Sequence, residues 1–148
     1  MVRVYLVRHG EANSEEVDRE RHLSGRGANE VRRIATDAVS HLGVRPARVV
    51  HSGKARARET AEIWSGLIAA DLAEGDSLAP NDDPSIWAAR LEGDADDTML
   101  VGHLPHLERL VGLLVTGKAD TAVAGFPPGG LVALERADRG WVVSAARP

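Results

Sequence analysis

The chain has 148 residues, 43% of them hydrophobic, enough for one domain with a sizeable core. Its 18 basic and 22 acidic side chains give a net charge of −4, which argues against nucleic acid or an anionic membrane as the main partner. Cysteine is absent, so disulfides, thiolate chemistry and Cys-based zinc sites are excluded together, and the longest N-terminal apolar run, Val4 to Val7, is too short for a signal-peptide core. A cytoplasmic chain is expected.

Val2, Val4, Tyr5, Leu6 and Val7 form a β-branched and aromatic run of strand length that stops abruptly at Arg8-His9-Gly10. Gly10, without a Cβ, allows a sharp turn and close approach of a ligand to the backbone. Ala12 to His22 is polar and aperiodic and reads as a loop. From Gly25 the pattern turns helical: Val31, Ile34, Ala35, Ala38, Val39 and Leu42 form one stripe, with Ser24 as N-cap and Gly43 and Pro46 as the stop. Val49 and Val50 make a second short strand, broken at His51-Ser52-Gly53. A helix follows from about Lys54, with Ala57, Ala61, Trp64 and Ile68 on one face and Arg56 in its first turn. Ala69 to Asn81 reads as a surface excursion, and Asp83-Pro84 opens a short helix through Leu91. Asp94 to Asp97 reads as a solvated acidic turn. Met99 to Val101 make a third buried strand that ends at Gly102-His103-Leu104-Pro105, and Leu107, Leu110, Val111 and Leu114 stripe the next helix. Leu131 to Glu135 and Trp141 to Ala145 read as a hairpin turned at Ala137 to Gly140.

Strand, polar tip and helix therefore follow one another three times. The expected architecture is a three-layer α/β/α sandwich around a mostly parallel sheet, with a C-terminal antiparallel hairpin, in a single domain over residues 1–148. Such a sheet brings its strand tips to one edge, so Arg8, His9, Ser52, Arg56 and His103 can share a pocket. Two arginines and two histidines there suit a phosphoryl dianion: guanidinium holds two oxygens at once, and a neutral imidazole is a competent nucleophile toward phosphorus.

Arg8-His9-Gly10, Ser52 followed by Arg56-Ala57 and Thr60-Ala61, and Gly102-His103 resemble the three signature segments of the histidine phosphatase superfamily, whose fold is phosphoglycerate-mutase-like. The small size, with Leu23-Ser24 and Gly27, His51 to Lys54, Asn81-Asp82, Gly102 to Pro105 and the Trp141 strand, is similar to its short SixA-type phosphohistidine phosphatases. The resemblance implies that His9 is the nucleophile that becomes phosphorylated, with Arg8, Arg56 and His103 on the phosphoryl oxygens. It places Gly10, Glu11, Ser52 and Leu104 beside the substrate, and it needs no cofactor or metal. Glu59 stands where the family usually has glutamine, and Gly53 where many members have proline.

Larger relatives protonate an alkoxide leaving group with a carboxylic acid. Candidates here are Asp82 and Asp83, and neither sits in a convincing motif. An imidazole leaving group, with a pKa of about 6.5, departs without a strong acid, so the expected substrate is a phosphohistidine on a phosphotransfer or signalling protein. The alternatives are a small-molecule phosphomonoesterase or mutase of the same fold and, from another class, a non-catalytic phosphate- or phosphoprotein-binding module. A monomer or weak dimer is expected. Plainer roles suit the remaining residues: orienting or packing for His51, surface for His22 and His41, packing for Trp64, Trp87 and Trp141, and no metal for the His103 and His106 pair. Glu11 either orients an imidazole or faces solvent.

Overall fold

The computed structural model describes all residues, 1–148. Six strands and four helices follow in the order β1 (Arg3–Arg8), α1 (Gly25–Leu42), β2 (Arg48–His51), α2 (Ala55–Ile68), β3 (Asp71–Glu74), α3 (Pro84–Glu92), β4 (Thr98–Gly102), α4 (His106–Thr116), β5 (Leu131–Arg136) and β6 (Trp141–Arg147). They form one sheet of order β3-β2-β4-β1-β5-β6. The first four strands in that order are parallel; β5 runs antiparallel to β1, and β6 antiparallel to β5.

The period of two along β1 divides the core. Val4 and Leu6 join the cluster that holds Leu91, Leu107 and Leu110 of α3 and α4, while Tyr5 and Val7 join the one that holds Val31, Ala35, Ala57 and Trp64 of α1 and α2. Helices therefore cover both faces, giving the three layers expected. Each fully buried Leu or Val contributes about 2 kcal/mol, so the strand that carries the site is also among the most firmly held. The three tryptophans pack in these clusters as expected.

Helix ends follow their sequence signals. Ser24 Oγ accepts from Gly27 N at 2.9 Å, and Asp83 accepts from Ser85 N at 2.9 Å ahead of Pro84. The excursion expected over 69–81 instead contains β3, an edge strand paired in register from Arg48↔Asp71 to His51↔Glu74. All four of its residues are exposed, so backbone pairing rather than an apolar pattern makes it a strand. The acidic turn is paired rather than merely solvated: Asp94 bonds Arg48 at 2.8 Å, and Asp97 accepts from Arg3 N at 2.8 Å. No helix is long and apolar enough to cross a membrane.

The start of α1 presses on the chain just past β1. A Cβ at Gly27 would collide with the Glu11 carbonyl oxygen and lie 3.0 Å from Glu11 N. Glycine to alanine inside a helix ordinarily stabilises by about 1 kcal/mol. Here Gly27→Ala is expected to destabilise by about 2 kcal/mol or more, because two backbone segments must separate. Urea denaturation at neutral pH reads the difference.

Candidate active site

The sheet order sets β4 between β2 and β1, so the residues that follow these three strands meet at one edge. Arg8 pairs with Gly102, and His51 with Val101, in the final rungs of the ladders. Just past them, His9 N donates to Gly102 O at 3.0 Å, and Gly129 N donates to His9 O at 3.1 Å. His9 and His103 then face each other, their ring centroids 5.1 Å apart and their planes tilted by 50°.

The proton on the His9 ring is fixed by geometry. Nδ1 lies 2.7 Å from the Gly10 carbonyl, which only accepts, so Nδ1 carries the hydrogen and Nε2 presents a lone pair with no protein partner. Gly10 is held in turn. Its N–H donates to Thr60 Oγ1 at 3.0 Å, whose hydroxyl donates to Arg56 O at 2.8 Å. A Cβ at Gly10 would lie 2.6 Å from Val31 Cγ2. Gly10 was expected beside the substrate; it faces α1 instead, and its task is to aim the His9 ring.

His103 Nε2 lies 2.6 Å from Ser52 Oγ, while its Nδ1 is buried without a partner. When the serine hydroxyl donates, the ring proton sits on Nδ1 and becomes a free donor at the site. Arg8 Nη1 donates to Phe126 O at 2.9 Å, leaving its Nε buried and unpartnered. Arg56 makes no hydrogen bond through its guanidinium, and its Nε is buried as well. Arg8 Nε, Arg56 Nε and His103 Nδ1 are thus buried polar atoms without partners, and such groups are costly unless a ligand completes them.

The field at this edge is strongly positive. Burial lowers the His9 pKa from 6.5 to about 4, opposed by the Gly10 carbonyl and reinforced by Arg56, Arg8 and Arg21. Burial also lowers that of His103 to about 3, with His9, Arg56 and Lys54 adding to it. Arg56 itself is lowered by burial and by Arg21. Both imidazoles are thus neutral at physiological pH in the free protein. An unfolded chain takes up these protons below about pH 6.5 and the folded one does not, so stability is complete above 6.5. It is expected to fall by roughly 1 kcal/mol per unit for His9 as the pH drops from 6.5 toward 4, measured by urea denaturation across that range.

Other candidates lie elsewhere. Asp82 accepts from Ala79 N at 2.9 Å and its charge acts on His106; it makes no hydrogen bond to His9 or His103. Asp83 is the cap of α3. Glu11 accepts from Ser24 Oγ at 2.9 Å, and neither ring bonds to it. Leu104 packs, half-buried, against the core. His51 is buried and its Nδ1 accepts from Gly53 N at 3.0 Å, an orienting contact. His22 bonds Asp18, and His106 is fully buried with both ring nitrogens unpartnered. No group of His, Asp and Glu side chains converges as a metal cage. Glu59 accepts from Leu23 N at 2.8 Å and so ties the polar loop to α2.

Sequence reasoning passed over the neighbouring cleft of about 550 Å³, which shares Arg56 with the site and is lined by Arg19, Arg21, Lys54 and Arg58. Clustered cations in Arg19-Glu20-Arg21 and Lys54 to Arg58 were the available signal.

No family model matches the sequence, and no curated protein does. Solved structures do. The chain is similar to a protein assigned as phosphohistidine phosphatase SixA from Agrobacterium tumefaciens, with 28% identity, coverage of 99% of this chain and 97% of that one, and a TM-score of 0.82. A structure of the protein histidine phosphatase SixA complexed with tungstate aligns at TM-score 0.83, with 23% identity over 97% of this chain and 95% of that one. A protein assigned as an alpha-ribazole-5'-P phosphatase from Escherichia coli aligns at 0.78, with 17% identity over 99% and 96%.

Proposed function

Since the chain has the phosphoglycerate-mutase-like fold of the histidine phosphatase superfamily, with SixA proteins among its structural neighbours, we propose that it is a phosphatase working through a phosphorylated His9. The observation that carries this reading is the His9 ring itself: Nδ1–H held by Gly10 O and Nε2 without a protein partner, in the field of Arg56 and Arg8.

In the first step His9 Nε2 forms a bond to phosphorus while the bond from phosphorus to the substrate's nitrogen breaks. If the substrate ring carries a proton on its other nitrogen, the returning electron pair leaves a neutral imidazole, and no enzyme acid has to deliver a proton. Phosphorylated His9 keeps Nδ1–H, so its ring becomes cationic and its bond to the Gly10 carbonyl strengthens. Water then attacks phosphorus, the pair returns to Nε2, inorganic phosphate departs and the water's proton passes to solvent. Arg8, Arg56 and His103 Nδ1–H bind the equatorial oxygens in both steps, where preorganised charge does most of the catalytic work.

Phosphohistidine on a protein is the favoured substrate because its imidazole leaving group needs no dedicated acid, and the candidate carboxylates are engaged elsewhere, Asp82 with Ala79 N and Asp83 with Ser85 N. Because side chains supply the positive charge, turnover is expected to persist in chelator. The test compares kcat/KM on a histidine-phosphorylated phosphocarrier protein with that on 3-phosphoglycerate. A preference of at least about 100-fold for the protein is expected. Equal rates would return the reading to a small-molecule phosphomonoesterase, and binding of both without turnover to a non-catalytic module.

A further inference from the structure

Some charged side chains of this chain pair with one another, as Arg90 does with Asp76 and Arg48 with Asp94, and the protein as a whole is acidic, with a net charge of −4. The cleft beside Arg56 reverses that overall sign. Five cations line it against two carboxylates, Glu15 and Glu20, and Glu20 is already engaged by His22 Nε2 at 3.2 Å. Arg19 and Lys54 have no carboxylate partner, and Arg21 bonds only the Asn13 carbonyl. Arg58 is loosely paired with Glu62 at 3.7 Å.

The wall that carries Arg19 and Arg21 is built rather than left slack. Asp18 accepts from Glu20 N, from His22 N and from His22 Nδ1, at 3.2, 2.9 and 2.9 Å. Arg21 sits at φ +54°, a conformation costly for a residue with a Cβ, and it is kept there by these bonds and by Glu59 on Leu23 N. Opposite stands the start of α2 with Lys54 and Arg58. We propose that this cleft is a docking surface for an acidic stretch of the phosphoprotein substrate, set so that carboxylates on that partner lie against Arg19, Lys54 and Arg58 while its phosphorylated side chain reaches His9.

The lining decides the kind of partner. It holds no aromatic ring on which a base could stack and no amide or hydroxyl side chain to read a sugar. Charge is what it offers, and at about 550 Å³ it is larger than one phosphate needs. Long, exposed cations around an open cleft give steering and register more than tight binding, which suits a partner that must leave after each turnover.

The assignment rests on the substrate reading above, and the test keeps the two apart. The double variant Arg19→Glu with Arg58→Glu leaves the phosphoryl-binding groups in place. With the histidine-phosphorylated carrier protein, its KM is expected to rise at least tenfold with kcat within threefold, while kcat/KM on phosphoramidate stays within threefold. Wild-type kcat/KM on the protein should fall steeply between low salt and 0.3 M sodium chloride, and that on phosphoramidate should not. An unchanged KM for the protein, or equal losses on both substrates, overturns the docking surface. Poly-L-glutamate, assayed with phosphoramidate, reads the surface independently of the natural substrate. It should inhibit wild type at least tenfold more strongly than the double variant, and equal inhibition overturns the proposal even if the phosphoprotein is hydrolysed. Failure of the phosphoprotein to react, with selective poly-glutamate inhibition retained, would instead overturn the substrate reading.

Discussion

Replacing His9 with alanine is expected to lower turnover by on the order of 10⁴-fold or more while the chain still folds. The loss is large because, in the proposed chemistry, the ring is the attacking group and no second nucleophile stands in its place. His103 is the other imidazole at the site, but its Nε2 is occupied by Ser52 at 2.6 Å. Folding survives because the His9 ring makes one local hydrogen bond, to Gly10 O, and the anchoring contacts are backbone ones to Gly102 and Gly129. The same variant should lessen the fall in stability between pH 6.5 and 4 by the His9 share, roughly 1 kcal/mol per unit, leaving the part due to His103. Steady-state assays and urea denaturation of one preparation check both results.

Arg56→Ala separates activity from stability even more sharply. A loss of about 10³-fold in kcat/KM is expected, from removal of a two-pronged donor to the phosphoryl oxygens. Stability should stay level or rise. The guanidinium makes no hydrogen bond, its Nε is buried without a partner, and burial together with Arg21 depresses its pKa. A charge held under those conditions costs stability, and the proposed chemistry gives it a use. Arg56→Lys retains the charge without the planar fork and should recover only part of the rate. A variant that lost stability as well as activity would show that Arg56 is structural.

Much of this could be read from the sequence because the strands carrying the site are buried. Val4 to Val7 and Met99 to Val101 end abruptly in polar residues, and in a parallel sheet such endings gather at one edge. The helices after them announce themselves by stripe and cap, Ser24 and Asp83 included. What stayed hidden follows from pairing that leaves no periodic trace. Asp71 to Glu74 is exposed throughout and becomes a strand only through the backbone of β2. Gly10 looked like a ligand contact because glycine permits one, whereas the missing Cβ makes room for Val31. The Asp82 carboxylate is spent on Ala79 N, a contact across three residues that spacing alone does not distinguish from a catalytic one. The basic cleft joins a loop near residue 20 with the start of α2, and only the folded chain brings those stretches together.

The decisive experiment traps the covalent state. Wild-type protein is mixed with a radiolabelled phosphohistidine protein, quenched in base within milliseconds and mapped by peptide sequencing. The chemistry described here predicts acid-labile label on Nε2 of His9, forming and decaying at least as fast as kcat. Turnover without any labelled protein, or label on His103 or His51 in place of His9, would contradict it.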